Sequence, residues 1–90
     1  MEFEWNSPKA AANVRKHGVT FDEAATVFLD ELAASGTDPD HSVGESRYIT
    51  FGASSLGRLL VASHPHRSGA IRIISARRVT RAERKIYEES

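Results

Sequence analysis

Cysteine is missing from the 90 residues, which excludes a disulfide framework, a thiolate metal centre and a catalytic thiol. A reducing compartment is the natural setting. No run of about 18 apolar residues is present to cross a bilayer, and the acidic start Met1-Glu2-Phe3-Glu4-Trp5 lacks the apolar stretch of a secretory signal. The cytosol is therefore the expected location, with no membrane partner. The glycine patterns of P-loop and dinucleotide-binding folds are also missing. Ser54 and Ser55 stand in a turn sequence with no Ser-His-Asp arrangement around them, so they read as turn formers. A chain of this length buries only about 60 to 65 percent of its unfolded surface, and residues 1–90 are expected to form one domain with one modest core.

Net charge is zero, but the charge is divided along the chain. Residues 1–45 carry three bases against nine acids (net −6), and residues 46–90 carry nine bases against three acids (net +6). Such a division points to a basic face for nucleic acid, to an acidic partner, or to both. The plainer alternative is that the two halves pair with each other inside the fold.

The pattern predicts an α+β domain. Glu2 to Trp5 alternates as a short strand with Phe3 and Trp5 on one buried face. Ser7-Pro8 reads as an N-cap followed by proline at the first helical position, and the helix runs to His17 before Gly18 stops it. Thr20-Phe21-Asp22-Glu23 is a capping box opening a second helix over roughly residues 21 to 29, with Phe21, Ala24, Ala25 and Phe28 as its apolar stripe. Leu32-Ala33-Ala34 suits a short strand ahead of a loop at 36–44. Arg47 to Phe51, with Ile49 and Phe51 facing inward, and Arg58 to His64 form a hairpin across the turn Gly52–Gly57. After a turn at 64–69, Ala70 to Ala76 is a further strand, and the capping box Thr80-Arg81-Ala82-Glu83 opens a last helix through about Tyr87. The expected order is a short N-terminal strand, two helices, an antiparallel meander of three or four strands, and a C-terminal helix.

Cations concentrate at the end of that meander, in Arg72, Arg77, Arg78, Arg81, Arg84 and Lys85. Arg72 leaves a largely apolar strand, on the face of Ile74 and Ala76, and reads equally as an ion pair with an N-terminal acid or as a phosphate clamp. Arg77, Arg78 and Arg81 flank the start of the last helix, where exposed amides already favour an anion. Arg84 and Lys85 read as a solvated face. Arg47 and Arg58 each open a hairpin strand, and adjacent strand ends can converge with Arg72 or Arg77 on one surface. Guanidinium groups so placed would bind phosphate and stabilise a pentacoordinate phosphorus.

RNA can be cut without a metal when a base takes the 2′-hydroxyl proton, cations steady the phosphorane and an acid protonates the leaving 5′-oxygen. His17 and Glu45 are the proton-transfer candidates. Glu45 also reads as a loop partner of Arg47, and His17 as a residue complementing the end of its helix. Tyr87 could donate a proton but fits packing of the last helix. A metal site would rest on His41, His64 and His66 with Asp38 or Asp40, a set without the ligand spacing of known centres, so no metal or other cofactor is expected.

Phe3-Glu4-Trp5, Lys9 with Asn13, Lys16-His17-Gly18-Val19, Phe21 with Glu23-Ala24, Val27-Phe28 and Asp30 resemble, in order, the N-terminal signature of the BrnT toxin family. Asp40-His41-Ser42 with Glu45 and Arg47, Gly52 with Ser54, Gly57-Arg58, Arg72 through Arg77, Glu83-Arg84 and Tyr87 continue it over nearly the whole chain. The sequence departs from that pattern at Asn6, where Asp is frequent, and at His64, where an aromatic residue is frequent. The resemblance implies a RelE-like toxin fold and an endoribonuclease toxin of a type II toxin-antitoxin pair. It also implies a BrnA-like ribbon-helix-helix antitoxin through which promoter DNA is bound. On that reading Arg47, Arg58, Arg72, Arg77, His17 and Glu45 are the catalytic candidates, and Lys16, Arg78 and Arg81 contact RNA. The competing reading is a binding module whose basic face grips an acidic partner or nucleic acid without chemistry.

Overall fold

A computed structural model of the protein describes residues 2–37, 47–65 and 69–89. Asp38, Asp40, His41, Glu45, His66 and residues 38–44 of the loop expected at 36–44 lie outside the described residues, while Gly36 and Thr37 of that loop are in a strand. Among the described residues no helix is long and apolar enough to cross a membrane.

The chain opens with strand β1 (Phe3–Glu4) and helix α1 (Ser7–His17). Asn6 caps α1, one residue earlier than the Ser7 expected: its backbone is extended and its Oδ1 accepts the Lys9 amide at 3.0 Å, which leaves Pro8 in the first turn where its missing N–H costs nothing. Gly18, at φ 69°, closes the helix by donating its N–H to the Val14 carbonyl. Helix α2 (Phe21–Thr26) runs into a 3-10 turn (Val27–Leu29). The Thr20 hydroxyl accepts the Glu23 amide at 3.0 Å as a cap should. The Glu23 carboxylate does not return to Thr20, because Arg58 and Ser54 take it.

Strand β2 is Ala34–Thr37 rather than 32–34. Asp30 explains the shift, since its side chain and carbonyl accept the amides of Leu32 and Ala33 and hold those residues in a turn. Strands β3 (Arg47–Ala53) and β4 (Leu59–Pro65) form the expected hairpin. The strand expected at 70–76 divides into β5 (Ile71–Arg72) and β6 (Ser75–Arg78). β5 pairs in parallel with β1, whereas β6 pairs antiparallel with β4, so the chain changes partner between them. The change breaks strand alternation: Ile73 and Ala76, expected on opposite faces, both enter the core. Helix α3 (Arg81–Glu89) follows the intact capping box, in which Thr80 Oγ1 accepts the Glu83 amide and Glu83 Oε1 accepts the Thr80 amide.

The main sheet has the antiparallel order β2-β3-β4-β6. Val19, Phe21, Ala24, Val27, Leu60, Ile73 and Ala76 form the core between its inner face and the first two helices, with Phe3, Trp5, Ala10 and Ala25 packed around them. On β3 the buried positions are Thr50 and Gly52, while Ile49 and Phe51 are half-buried on the outer face, the reverse of the expected parity. Close approach decides it. A Cβ at position 52 would lie 2.9 Å from Val27 Cγ1 and 3.1 Å from the Val27 carbonyl oxygen, so only glycine fits beneath the 3-10 turn.

Candidate active site

β6 is an edge strand, and two adjacent arginines at its end project to opposite faces of the sheet. Arg77 faces outward, in register with Val61 and, across β4, with Phe51. There it meets α3. Its Nη1 and Nη2 donate to Glu83 Oε1 and Oε2 at 2.8 and 2.9 Å, and Nη1 also reaches the Arg78 carbonyl at 3.2 Å. The Arg77 guanidinium, ahead of the amide and hydroxyl of Thr80, holds the Glu83 carboxyl down to about 2 against the opposing effect of burial. Arg77 nevertheless keeps 42% of its side chain exposed.

The outer face around Arg77 has an apolar floor of half-buried Ile49 and Phe51 and buried Val61, with Ser63 and Ser75 beside them in register. Arg47 belongs to the same face, opposite Pro65. Four residues along the ladder separate its level from that of Arg77, roughly 13 Å. Tyr87 fastens the far end of α3: its hydroxyl donates to Asp30 Oδ2 at 2.6 Å, and the same carboxylate oxygen accepts the Ala53 amide at 2.7 Å. Those bonds hold the Asp30 carboxyl below its usual range, the Ala53 amide being the larger cause, and raise the Tyr87 hydroxyl.

The other arginines turn elsewhere. Arg58 reaches inward, its Nε donating to Glu23 Oε2 at 2.9 Å and its Nη2 to Glu23 Oε1 and to the Gly18 carbonyl. Ser54 Oγ donates to the same carboxylate at 2.6 Å, and these partners, Arg58 foremost, keep the Glu23 carboxyl low despite burial. This cluster ties the β3–β4 turn to the start of α2. Arg72 lies on the two-stranded sheet beside its register partner Glu4, with Nη1 3.8 Å from Glu4 Oε1, which realises the ion-pair alternative. The expected convergence of strand-end arginines is therefore not formed among the described residues, because two of the four lie with acids from the N-terminal half.

Arg78 projects toward the inner side and lowers the Glu23 carboxyl electrostatically. His17, half-buried in the last turn of α1, is four residues from Asn13 and shares its helix face. Asn13 itself is buried and acts as a neighbour strand to β6, donating to the Ala76 carbonyl at 2.8 Å and accepting the Ala76 amide at 3.2 Å. Lys16 and Arg81 are exposed. Among the described residues no three of His, Cys, Asp or Glu gather to hold a metal. His64, at the position where the family pattern often has an aromatic residue, is packed as a ring, 5.1 Å from Phe28 and 6.4 Å from Tyr48, with Nε2 2.8 Å from the Thr50 hydroxyl.

In the sequence Glu83 and Glu23 read as capping residues and, with Asp30, as positions of the family pattern, without a role in the site. A carboxylate six positions after Arg77, at the first turn of the next helix, was the available signal for the Arg77–Glu83 pair.

Comparison with known proteins bears on this arrangement. A family model described as the ribonuclease toxin BrnT of type II toxin-antitoxin systems matches residues 5–83. The 1.1 Å crystal structure of the Brucella abortus ribonuclease toxin BrnT is similar in fold, with a TM-score of 0.64 over 90% of this chain and 99% of that one, at 19% identity. Curated protein sequences yield no match.

Proposed function

This chain belongs to the BrnT family of ribonuclease toxins of type II toxin-antitoxin systems, and we propose that it is an endoribonuclease that needs no metal and cuts by attack of the RNA 2′-hydroxyl on the adjacent phosphorus. The family match over residues 5–83 supports the ribonuclease part of this reading. The half-exposed Arg77 on an open sheet face supplies its centre.

Arg77 binds the scissile phosphate and stabilises the extra negative charge of the phosphorane, the part a metal would otherwise play. Arg47, farther along the same face, holds a neighbouring phosphate, and Lys16, Arg78 and Arg81 contact the backbone of the strand. His17 and Glu45 are the candidates for base and acid. The base removes the 2′-hydroxyl proton as the 2′-oxygen bonds to phosphorus; the bond to the 5′-oxygen breaks, and the acid protonates that oxygen. The products are a 2′,3′-cyclic phosphate and a free 5′-hydroxyl. Arg58 and Arg72 support the reaction at a distance, through the hairpin and the β1–β5 pair they hold.

Family membership implies RNA as substrate and an antitoxin as partner. We assign the antitoxin to a BrnA-like ribbon-helix-helix protein that carries the complex to promoter DNA, and the toxin to the cytoplasm as a single domain over residues 1–90. The protein freed of antitoxin should cleave RNA in excess chelator and leave cyclic phosphate ends. RNA substituted with 2′-deoxy at the cut position should resist. Intact RNA in the presence of folded protein would reject the nuclease in favour of a binding module, and activity lost to chelator and restored by a divalent cation would reject the metal-free route alone.

A further inference from the structure

We infer that Glu83 is a positioning residue for the cleavage reaction, fixing the plane in which the Arg77 guanidinium meets the phosphate; this rests on the nuclease reading above. An arginine side chain on an open sheet face is a cation on a flexible stem. Here two parallel N–H···O bonds, at 2.8 and 2.9 Å, and a third to the Arg78 carbonyl define its orientation. The carboxylate is itself anchored to backbone, because Oε1 accepts the Thr80 amide at 2.8 Å while the Glu83 amide is bonded to the Thr80 hydroxyl. Orientation thus passes from the first turn of α3 to the carboxylate and from the carboxylate to the guanidinium.

Stability is only part of the explanation for such a fork. With 42% of the Arg77 side chain and 21% of the Glu83 side chain exposed, solvent screens much of its attraction. Its cost to function is also definite, since a carboxylate beside a phosphate site repels RNA and offsets part of the Arg77 charge. An oriented cation compensates for that only in the transition state, where charge accumulates on the phosphorane and no reorganisation is needed. The capping role of Glu83 is separable, because Thr80 serves the same box without touching Arg77.

The consequence is a divided effect on the kinetic constants. Single-turnover cleavage of an oligoribonucleotide that the wild-type protein cuts, and binding of its 2′-O-methyl analogue, should be measured for Glu83→Gln, Thr80→Ala, Arg77→Ala and the Arg77→Ala/Glu83→Gln pair. Glu83→Gln should lower the maximal rate about tenfold while affinity holds or tightens. Thr80→Ala removes the hydroxyl but keeps the Thr80 amide on Glu83 Oε1, so its loss of rate should be smaller than that of Glu83→Gln. In the Arg77→Ala background Glu83→Gln should add no further loss. The inference is overturned by an unchanged rate in Glu83→Gln, by an equal loss in Thr80→Ala, or by losses that multiply in the pair. Wild-type protein that leaves the RNA intact would remove the underlying nuclease reading and this inference with it, whereas Arg77→Ala that cuts at full rate would overturn the inference and leave the nuclease reading standing.

Discussion

Glu23 illustrates how a residue that enters the sequence as a helix cap can be taken over by tertiary partners. Its side chain is 5% exposed and is bonded to Arg58 and Ser54. Glu23→Ala strips both of their acceptor, while Arg58, at 30% exposed, can turn to water. The expected loss is about 1–3 kcal/mol, below that of a fully buried pair, and urea unfolding will measure it. Protonation gives a second test. The folded Glu83 carboxyl titrates at about 2 against an ordinary value of 4.5, so its stabilisation is complete above about pH 4.5 and is lost as pH falls toward 2. Glu23 and Asp30 shift in the same direction and add to that acid limb. Tyr87 shifts upward from 10.0, so the stabilisation from its bond to Asp30 is complete below pH 10 and fades as pH rises through the folded value. Thermal melts should be flat through neutrality and fall on both sides, with Glu83→Gln shallower on the acid side and Tyr87→Phe shallower on the alkaline side.

Strand β6 owes its outer edge to a side chain rather than to another strand. Asn13 exchanges two hydrogen bonds with Ala76 and donates a third to the Val19 carbonyl at 2.9 Å. Asn13→Ala leaves these buried groups unpaired and should cost about 2–4 kcal/mol. Asn13→Asp should cost more, because a carboxylate cannot donate to two carbonyls. Strand β3 offers a complementary case at Gly52, where an added Cβ meets the stiff Val27 side chain and the backbone of the 3-10 turn. Gly52→Ala should destabilise by about 1–3 kcal/mol as overpacking, read from the denaturation midpoint. Legibility differed between these elements for a physical reason. Gly18, Thr20 and Thr80 announce helix ends because capping is local. The parity of β3 was misread because Ile49 and Phe51 are more apolar than Thr50 and Gly52, and only the proximity of Val27 places the smaller residues inside.

At the scale of the whole molecule, the opposed charges of the two halves are partly joined by folding. Glu23 with Arg58 and Glu4 with Arg72 each link an N-terminal acid to a C-terminal arginine, so part of the basic excess is structural. Among the described residues, much of the remainder lies at the end of β6 and along α3, where exposed Arg78, Arg81, Arg84 and Lys85 stand. RNA affinity should therefore fall with salt, and Arg78→Ala should reduce the slope by about one counterion while weakening all sequences alike. Titration with a 2′-O-methyl oligonucleotide at several salt concentrations checks both. By itself the sequence determined the family, the α+β class, the β3–β4 hairpin and the helix ends at Gly18, Thr20 and Thr80, since local chemistry and an ordered series of motifs are written along the chain. Only the tertiary structure decided which arginines are tied to acids of the N-terminal half. Arg58 meets Glu23 and Arg72 lies beside Glu4, each an acid tens of positions away in the sequence, and the second pairing depends on the change of strand partner between β5 and β6.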